Sequence, residues 1–437
     1  MQENIKWNIK NINLEREIPD IPIQPEYAGV FVVFWWRSLP LGYQEFFADE
    51  LPISASTLRN LAAKTVTATV GSYLLEQGFT AYPPKIKGMT LKAEKPPNFD
   101  TLVSLKEPLA NLEQKCSSID LQNTQESVSV VICTRDRPQQ LEACLNSLQN
   151  LDKYPDEIIV VDNAPTTELT KKVVDKFPQV RYVLESRPGL SIARNTGIES
   201  AKGNIIAFTD DDVEVHPNWI ERVLYGFQDP KVMVVTGLML PAELETAAQV
   251  AFHRGTSGFN WECRPIIYDT EYFENRKPFG TPVWQIGAGA NMSLRRQIVD
   301  IIGDFDRRLG AGASGCSEDS EFWYRVLAAG WICRYEPSAV VYHYHRGDLN
   351  SLKRQKYSYM RGHVAALLIQ ASQHHHWGNL FRLLIVLPEY YIQLILKGIS
   401  NGFQGRYRTI FIEIIGCFAG ILFFLRNLSR YSTREIG

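Results

Sequence analysis

Between residues 127 and 240 the chain alternates two hydrophobic patterns. Short apolar runs rich in β-branched residues fall at 128–133, 157–161, 180–184, 205–208 and 232–236. Between them, 139–148, 168–177, 191–200 and 218–226 carry apolar residues at helical spacing. This alternation predicts βαβ units and a mostly parallel sheet flanked by helices. Upstream, the aromatic run 27–36 predicts a strand and is too short to span a bilayer. A helix is expected from about Ser54 to Leu75, with Ser54 or Ser56 as its cap. Pro83-Pro84, Pro96-Pro97 and the polar stretch to Gln125 predict loops and a linker. Beyond Lys353 the pattern is helical, with two strongly apolar stretches at 380–399 and 409–425. Three regions are therefore expected: an N-terminal α+β accessory domain over 1–125, an α/β domain over 126–346 and a C-terminal helical region over 347–437.

In a parallel sheet, ligands bind outside the carboxyl ends of the strands. Three such ends carry polar clusters: Thr134-Arg-Asp-Arg137, Val161-Asp162-Asn163 and Thr209-Asp210-Asp211-Asp212. Turn chemistry accounts for Asp162-Asn163 about as well as function does. Three consecutive carboxylates after a buried strand repel one another and call for a counter-ion. Mg²⁺ or Mn²⁺ suits such oxygen ligands, usually shared with substrate phosphates. Side-chain alternation in an extended stretch puts Asp210 and Asp212 on one side and Asp211 on the other.

With Gly189-Leu-Ser-Ile-Ala-Arg194-Asn195-Thr-Gly197, these segments resemble the nucleotide-binding half of family 2 glycosyltransferases. The resemblance runs from about residue 127 to 346, half the chain. It implies a GT-A-like α/β fold, inversion at the anomeric carbon, a nucleotide-sugar donor and Mg²⁺ or Mn²⁺. It further implies that Thr134 and Arg137 line the nucleotide and Asp162, beside Asn163, contacts the base. Arg194 and Asn195 would lie near base and ribose. Asp210, with Asp211 beside it, would face ribose or sugar, and Asp212 would bind the metal.

An inverting transfer needs a base on the acceptor side. The glycine-rich 310–316 leads into Ser317-Glu318-Asp319-Ser-Glu321, with Ser317 in an N-cap position and acids in the first helical turn. Read alone, those acids are first-turn helix acids; the resemblance makes Asp319 the catalytic base with Glu318 beside it. Gly287-Ala-Gly-Ala-Asn291-Met-Ser-Leu-Arg-Arg296 resembles the family's small-residue strand under the donor sugar. In the strand expected over 339–346, His343 and His345 share one face and are candidates for metal or diphosphate contact, with Arg346 beside them. The polar, aromatic stretch 253–282 is expected to form a lid or acceptor loop.

The chain of 437 residues is 45% hydrophobic and 22% charged, ordinary globular composition that excludes fibrous or wholly disordered readings. Its net charge of −2 argues against a nucleic-acid partner. From Arg346 onward, however, twelve Lys and Arg accompany four Asp and Glu, a net of +8 that leaves −10 elsewhere. Seven scattered cysteines and no secretory pattern suggest reduced thiols in a cytoplasmic setting. The 409–425 stretch fits a buried hairpin, an in-plane anchor or a marginal span. Its arginine flanks favour peripheral attachment to an anionic membrane at the cytoplasmic face. The expected function is sugar transfer from a UDP-, GDP- or dTDP-linked donor to a glycan or lipid-linked acceptor in polysaccharide assembly. A nucleotidyltransferase and a non-catalytic sugar-nucleotide-binding protein are the alternatives.

Overall fold

The computed structural model describes residues 6–76, 126–255 and 262–427. The expected linker through Gln125 and the last basic residues, Arg430 and Arg434, lie outside them. The central feature is a nine-stranded sheet in the order β10-β12-β9-β11-β7-β4-β5-β6, with β8 paired to β12. One half is β6 (Val180–Glu185), β5 (Glu157–Asn163), β4 (Val128–Thr134) and β7 (Ile205–Asp210), all parallel. These strands and the helices Pro138–Gln149, Leu169–Val174 and Leu190–Ser200 lie where the hydrophobic pattern places them. β4, β5 and β7 are buried on both faces, which is why they read as continuous apolar runs, while the edge strand β6 is only partly buried.

The other half is mixed. β8 (Val213–Val215) pairs with β12 (Ile332–His343), β9 (Val232–Pro241) lies parallel to β12, and β10 (Ile266–Tyr268) covers the edge. β11 (Asn291–Arg295) runs antiparallel between β7 and β9. The strand expected over 287–296 forms as β11 from Asn291, and its small-residue start, 287–290, is the loop entering it. Asn291 explains the entry: its amide donates to the carbonyls of Leu238 and Ala339 and accepts from the Trp219 indole. The expected lid over 253–282 contains β10 and the helix Thr270–Arg276, both tied to the sheet edge.

The N-terminal strands β1 (Trp7–Asn13), β2 (Gly29–Trp36) and β3 (Leu39–Phe47) form a separate sheet backed by the helix Ala55–Glu76. One face closes its own core around Val30, Val32, Phe34 and Leu58. Trp7, Phe31, Val33 and Trp35 join the main core. From that position the sheet props the helix Ala247–Gly255. Arg254 pairs with Glu45 and sits over the rings of Trp7 and Phe47, while Phe31 meets His253 edge-on.

The C-terminal region is three long helical stretches. Leu349–His374 is capped by Asp348, whose carboxylate accepts from the Ser351 amide. It leans on the glycine loop: a Cβ at Gly362 would lie 2.4 Å from the Cys316 carbonyl, so only glycine allows the approach. Trp377–Ser400 passes through Pro388 by widening into a π-turn over Arg382–Val386, which absorbs the missing amide and the clash with the preceding turn. Gly405–Arg426 packs lengthwise on Leu349–His374, with Gly416 and Gly420 against the Tyr357 and Arg361 backbones. By length and composition the last two stretches could each cross a bilayer, yet only 17% and 28% of their apolar windows are buried. A buried hairpin is excluded by that exposure.

Candidate active site

The parallel register aligns the strand ends: Thr134 lies opposite Asp162, and Cys133 opposite Asp210. They open into a cavity of ≈ 700 Å³. Ten of the thirteen candidate residues line it: Thr134, Arg137, Asn163, Arg194, Asp210, Asp211, Asp212, Glu318, Asp319 and His343.

The acid triplet departs from simple alternation because β7 ends at Asp210 and the chain turns there. Asp211 and Asp212 consequently share one cation. Arg137 donates to Asp211 Oδ1 and, at 2.7 Å, to Asp212 Oδ2, and Thr134 donates to Asp211 Oδ2 at 2.7 Å. Burial pushes the Asp211 carboxyl up to about 7 against the pull of Arg137. Burial also opposes ionisation of Asp212, but His343 and Arg137 hold it well below the usual range. Asp210 instead faces Arg194, 3.7 Å away.

Arg194 is 2% exposed and spans the cavity floor, donating to Glu318 Oε1 at 2.7 Å. Glu318 is raised to about 7 by burial, with Arg194 opposing. A Cβ at Gly289 would fall 2.5 Å from the Arg194 guanidinium, so the small residue of that loop makes room for the cation. Ser317 stands at the helix start with φ 71° and makes no side-chain cap bond, contrary to the expected N-cap role. Asp319 is held by backbone instead: Gly289 N donates to Oδ2 at 2.9 Å and Ser320 N to Oδ1 at 2.6 Å. No cation lies within ion-pair distance of Asp319 among the described residues.

Three candidates stand off the cavity. Asp162 is fully buried, accepting from the Tyr182 hydroxyl at 2.9 Å, with Oδ1 lacking a hydrogen-bond partner. Asn195 is spent on Asp304 and both backbone groups of Phe305. His345 lies behind His343, their Nδ1 atoms 2.8 Å apart, and burial lowers its imidazole to about 2. His343 Nε2 points at Asp212 Oδ1, 3.3 Å away. Among the described residues no three His, Cys, Asp or Glu side chains already converge as a metal-binding group. The Asp212–His343 pair nevertheless fits one. Adjacent ligands at about 2.1 Å in an octahedral shell are about 3 Å apart, near the observed separation.

Sequence reasoning missed the wall opposite the strand ends, where Lys356, Tyr359, His363, Arg382, Tyr390 and Arg406 line the cavity. The spacing of 356, 359 and 363 along one helix was the available signal.

Residues 129–301 match the Glycosyl transferase family 2 model. Glycosyltransferase AglE of Haloferax volcanii is 25% identical over 237 residues, 52% of this chain and 70% of that protein. Succinoglycan biosynthesis protein ExoM of Rhizobium meliloti is 27% identical over 230 residues, 49% of this chain and 66% of its own. Among solved structures, the mannosyltransferase PcManGT of Pyrobaculum calidifontis, a complex with GDP-Man and Mn²⁺, aligns with a TM-score of 0.49 and 16% identity. That alignment covers 69% of this chain and 88% of PcManGT. Residues 129–301 are thus the part of the chain that matches family 2 glycosyltransferases, and they lie on a mixed α/β sheet whose β6-β5-β4-β7 half is parallel.

Proposed function

We propose that this protein is an inverting glycosyltransferase that moves a sugar from a nucleotide-diphosphate donor to an acceptor hydroxyl in glycan or polysaccharide assembly. The observation that carries the proposal is the contrast among the cavity carboxylates. Asp210, Asp211, Asp212 and Glu318 each face an arginine, whereas Asp319 is fixed by two backbone amides and faces no paired cation. A carboxylate that is oriented but not neutralised can take a proton from an acceptor hydroxyl. Glu318 keeps Arg194 in place beneath it. ExoM, by its name, serves succinoglycan biosynthesis, which supports the glycan setting.

Asp212 and His343, with Asp210 nearby, are the residues that would hold Mg²⁺ or Mn²⁺. Such an ion supplies Lewis-acid stabilisation of the departing diphosphate. His345 orients His343 through the shared Nδ1 contact, a positioning role common behind metal-bound imidazoles. Thr134 and Arg137 hold the triplet in register beside the nucleotide. Asn163 accepts from Gly189 N and donates to Arg187 O, shaping the loop that borders it. Asp162, buried behind the cavity wall, and Asn195 support the fold around the nucleotide end rather than contacting the nucleotide themselves.

The reading includes attachment at the cytoplasmic membrane face, lying on the bilayer rather than crossing it. Gly405–Arg426 packs along Leu349–His374, whose Lys353, Arg354 and Arg361 do not tolerate a hydrocarbon core. The opposite face of Gly405–Arg426 is exposed and apolar at Phe411, Ile415, Phe418, Leu422 and Leu425. One face on protein and one on lipid describes an in-plane anchor.

A panel of UDP-, GDP- and dTDP-sugars with Mg²⁺ or Mn²⁺ tests the proposal. Metal-dependent nucleotide release from at least one donor is expected. Pyrophosphate exchange without sugar release would instead identify a nucleotidyltransferase, and no turnover of any donor would leave a binding protein.

A further inference from the structure

The far wall of the cavity carries a charge that the proposed chemistry does not use. Lys356, 8% exposed, lines the cavity with its ammonium 5.3 Å above the Phe252 ring. Among the described residues it has no carboxylate within ion-pair distance. Its natural partner would be Glu413, but that side chain is saturated. Arg406 donates to both Glu413 oxygens at 2.6 and 2.8 Å, Thr409 adds a bond at 2.6 Å and Tyr391 one at 3.2 Å. Burial lowers the Lys356 ammonium to about 8, so it is still mostly charged at neutral pH. A buried cation without a partner is costly, and an anionic ligand removes the cost.

The same wall is two-faced. Trp377–Ser400 presents Arg382, Val386, Leu387 and Tyr390 to the cavity and Leu384, Ile385, Ile392 and Leu396 to the outside, the last four each more than half exposed. Gly405–Arg426 behaves likewise, with Arg406 and Glu413 inward and its apolar row outward. An anion site therefore lies directly behind a surface suited to lipid. Lys356 and Tyr359, one turn apart, line the same cavity as Asp319, which puts the anion site on the path to the proposed base.

We propose that the acceptor is a lipid-linked diphosphate saccharide. Lys356 contacts its phosphate, its lipid lies along the exposed faces of Trp377–Ser400 and Gly405–Arg426, and its sugar hydroxyl meets Asp319. This rests on the glycosyl-transfer reading of the same cavity.

The test uses the full chain in detergent micelles with EDTA, which keeps metal-held diphosphate out of the donor end. Three probes are compared by tryptophan fluorescence: geranylgeranyl diphosphate, inorganic pyrophosphate and geranylgeraniol. The diphosphate lipid should bind at least tenfold more tightly than either part alone. Lys356→Gln should lose at least tenfold for it while geranylgeraniol binding, an internal control for folding, stays put, and Lys356→Arg should restore it. Equal binding of pyrophosphate, or an unchanged Lys356→Gln, would overturn the proposal in favour of a soluble acceptor. If the donor panel releases nucleotide but the lipid probe fails, the acceptor class alone falls. If no donor is turned over, the transferase reading falls with it.

Discussion

The two ends of the cavity handle charge differently. At the strand ends, acids are packed against arginines and a histidine: Arg137 serves Asp211 and Asp212, Arg194 serves Glu318 and Asp210, and His343 faces Asp212. At the helical wall, Lys356 and Arg382 stand without carboxylates among the described residues, and Arg382 spends itself on the Trp284 ring and the Gly280 carbonyl. An acid-rich end suits a ligand that arrives with a divalent cation. A cation-bearing end suits an anion that arrives without one. Between them lies Asp319, the proposed base, held by backbone amides.

The comparison breaks most visibly at Asp319. Asp319→Asn keeps one of the two backbone hydrogen bonds, because an amide nitrogen cannot accept the other, and removes the proton acceptor, so transfer should fall by about 10²–10⁴-fold. Nucleotide binding, followed by calorimetry, should be retained; full transfer would refute the assignment. Next is the cavity floor. Glu318→Ala leaves Arg194 buried with only the distant Asp210, a loss of about 3 kcal/mol in urea unfolding. Glu318 also makes a pH prediction. Its folded pKa, about 7, lies above the ordinary 4.5, so the unfolded chain releases the proton first. Wild-type stability should therefore fall as pH rises from 4.5 to about 7, and Glu318→Gln should flatten that slope.

Smaller effects sharpen the division of labour. His345→Ala should raise the Mn²⁺ concentration needed for nucleotide release by about 10–100-fold, the usual loss when the partner behind a metal-bound histidine goes. His343→Ala should cost more; the reverse order would exchange their roles. In the helical wall, Gly416→Val drives a side chain into the Tyr357 carbonyl, and a loss of about 1–3 kcal/mol is expected in thermal unfolding. The least effect on stability belongs to the outer face. Phe418→Ser with Leu422→Ser should change unfolding by about 0.5 kcal/mol or less each. Flotation with anionic vesicles should nonetheless drop sharply, and unchanged flotation would remove the membrane from the picture.

Much of the strand-end region was legible because its signals are local. Parallel strands buried on both faces declare themselves as apolar runs, and the residues just after them must sit at the sheet's carboxyl edge. That logic placed Thr134, Arg137, Asn163 and the Asp210–Asp212 triplet around the cavity. It failed where one residue's orientation depended on a distant partner. Asp211 and Asp212 converge on Arg137 because the chain turns, and Asn195 is drawn to Phe305, more than a hundred residues away. The strand expected over 287–296 starts only at Asn291, whose amide fixes the entry, so its first four residues form a loop.

By itself the sequence determined the parallel half-sheet, the polar strand ends, the acids at a helix start and a basic, apolar tail. Each of these follows from residue spacing and short-range stereochemistry. The tertiary structure alone decided which carboxylates are neutralised, that His343 rather than His345 reaches the cavity, and that the tail closes the far wall. Those outcomes depend on contacts between segments that no local pattern connects: Arg194 to Glu318, and Gly362 to Cys316.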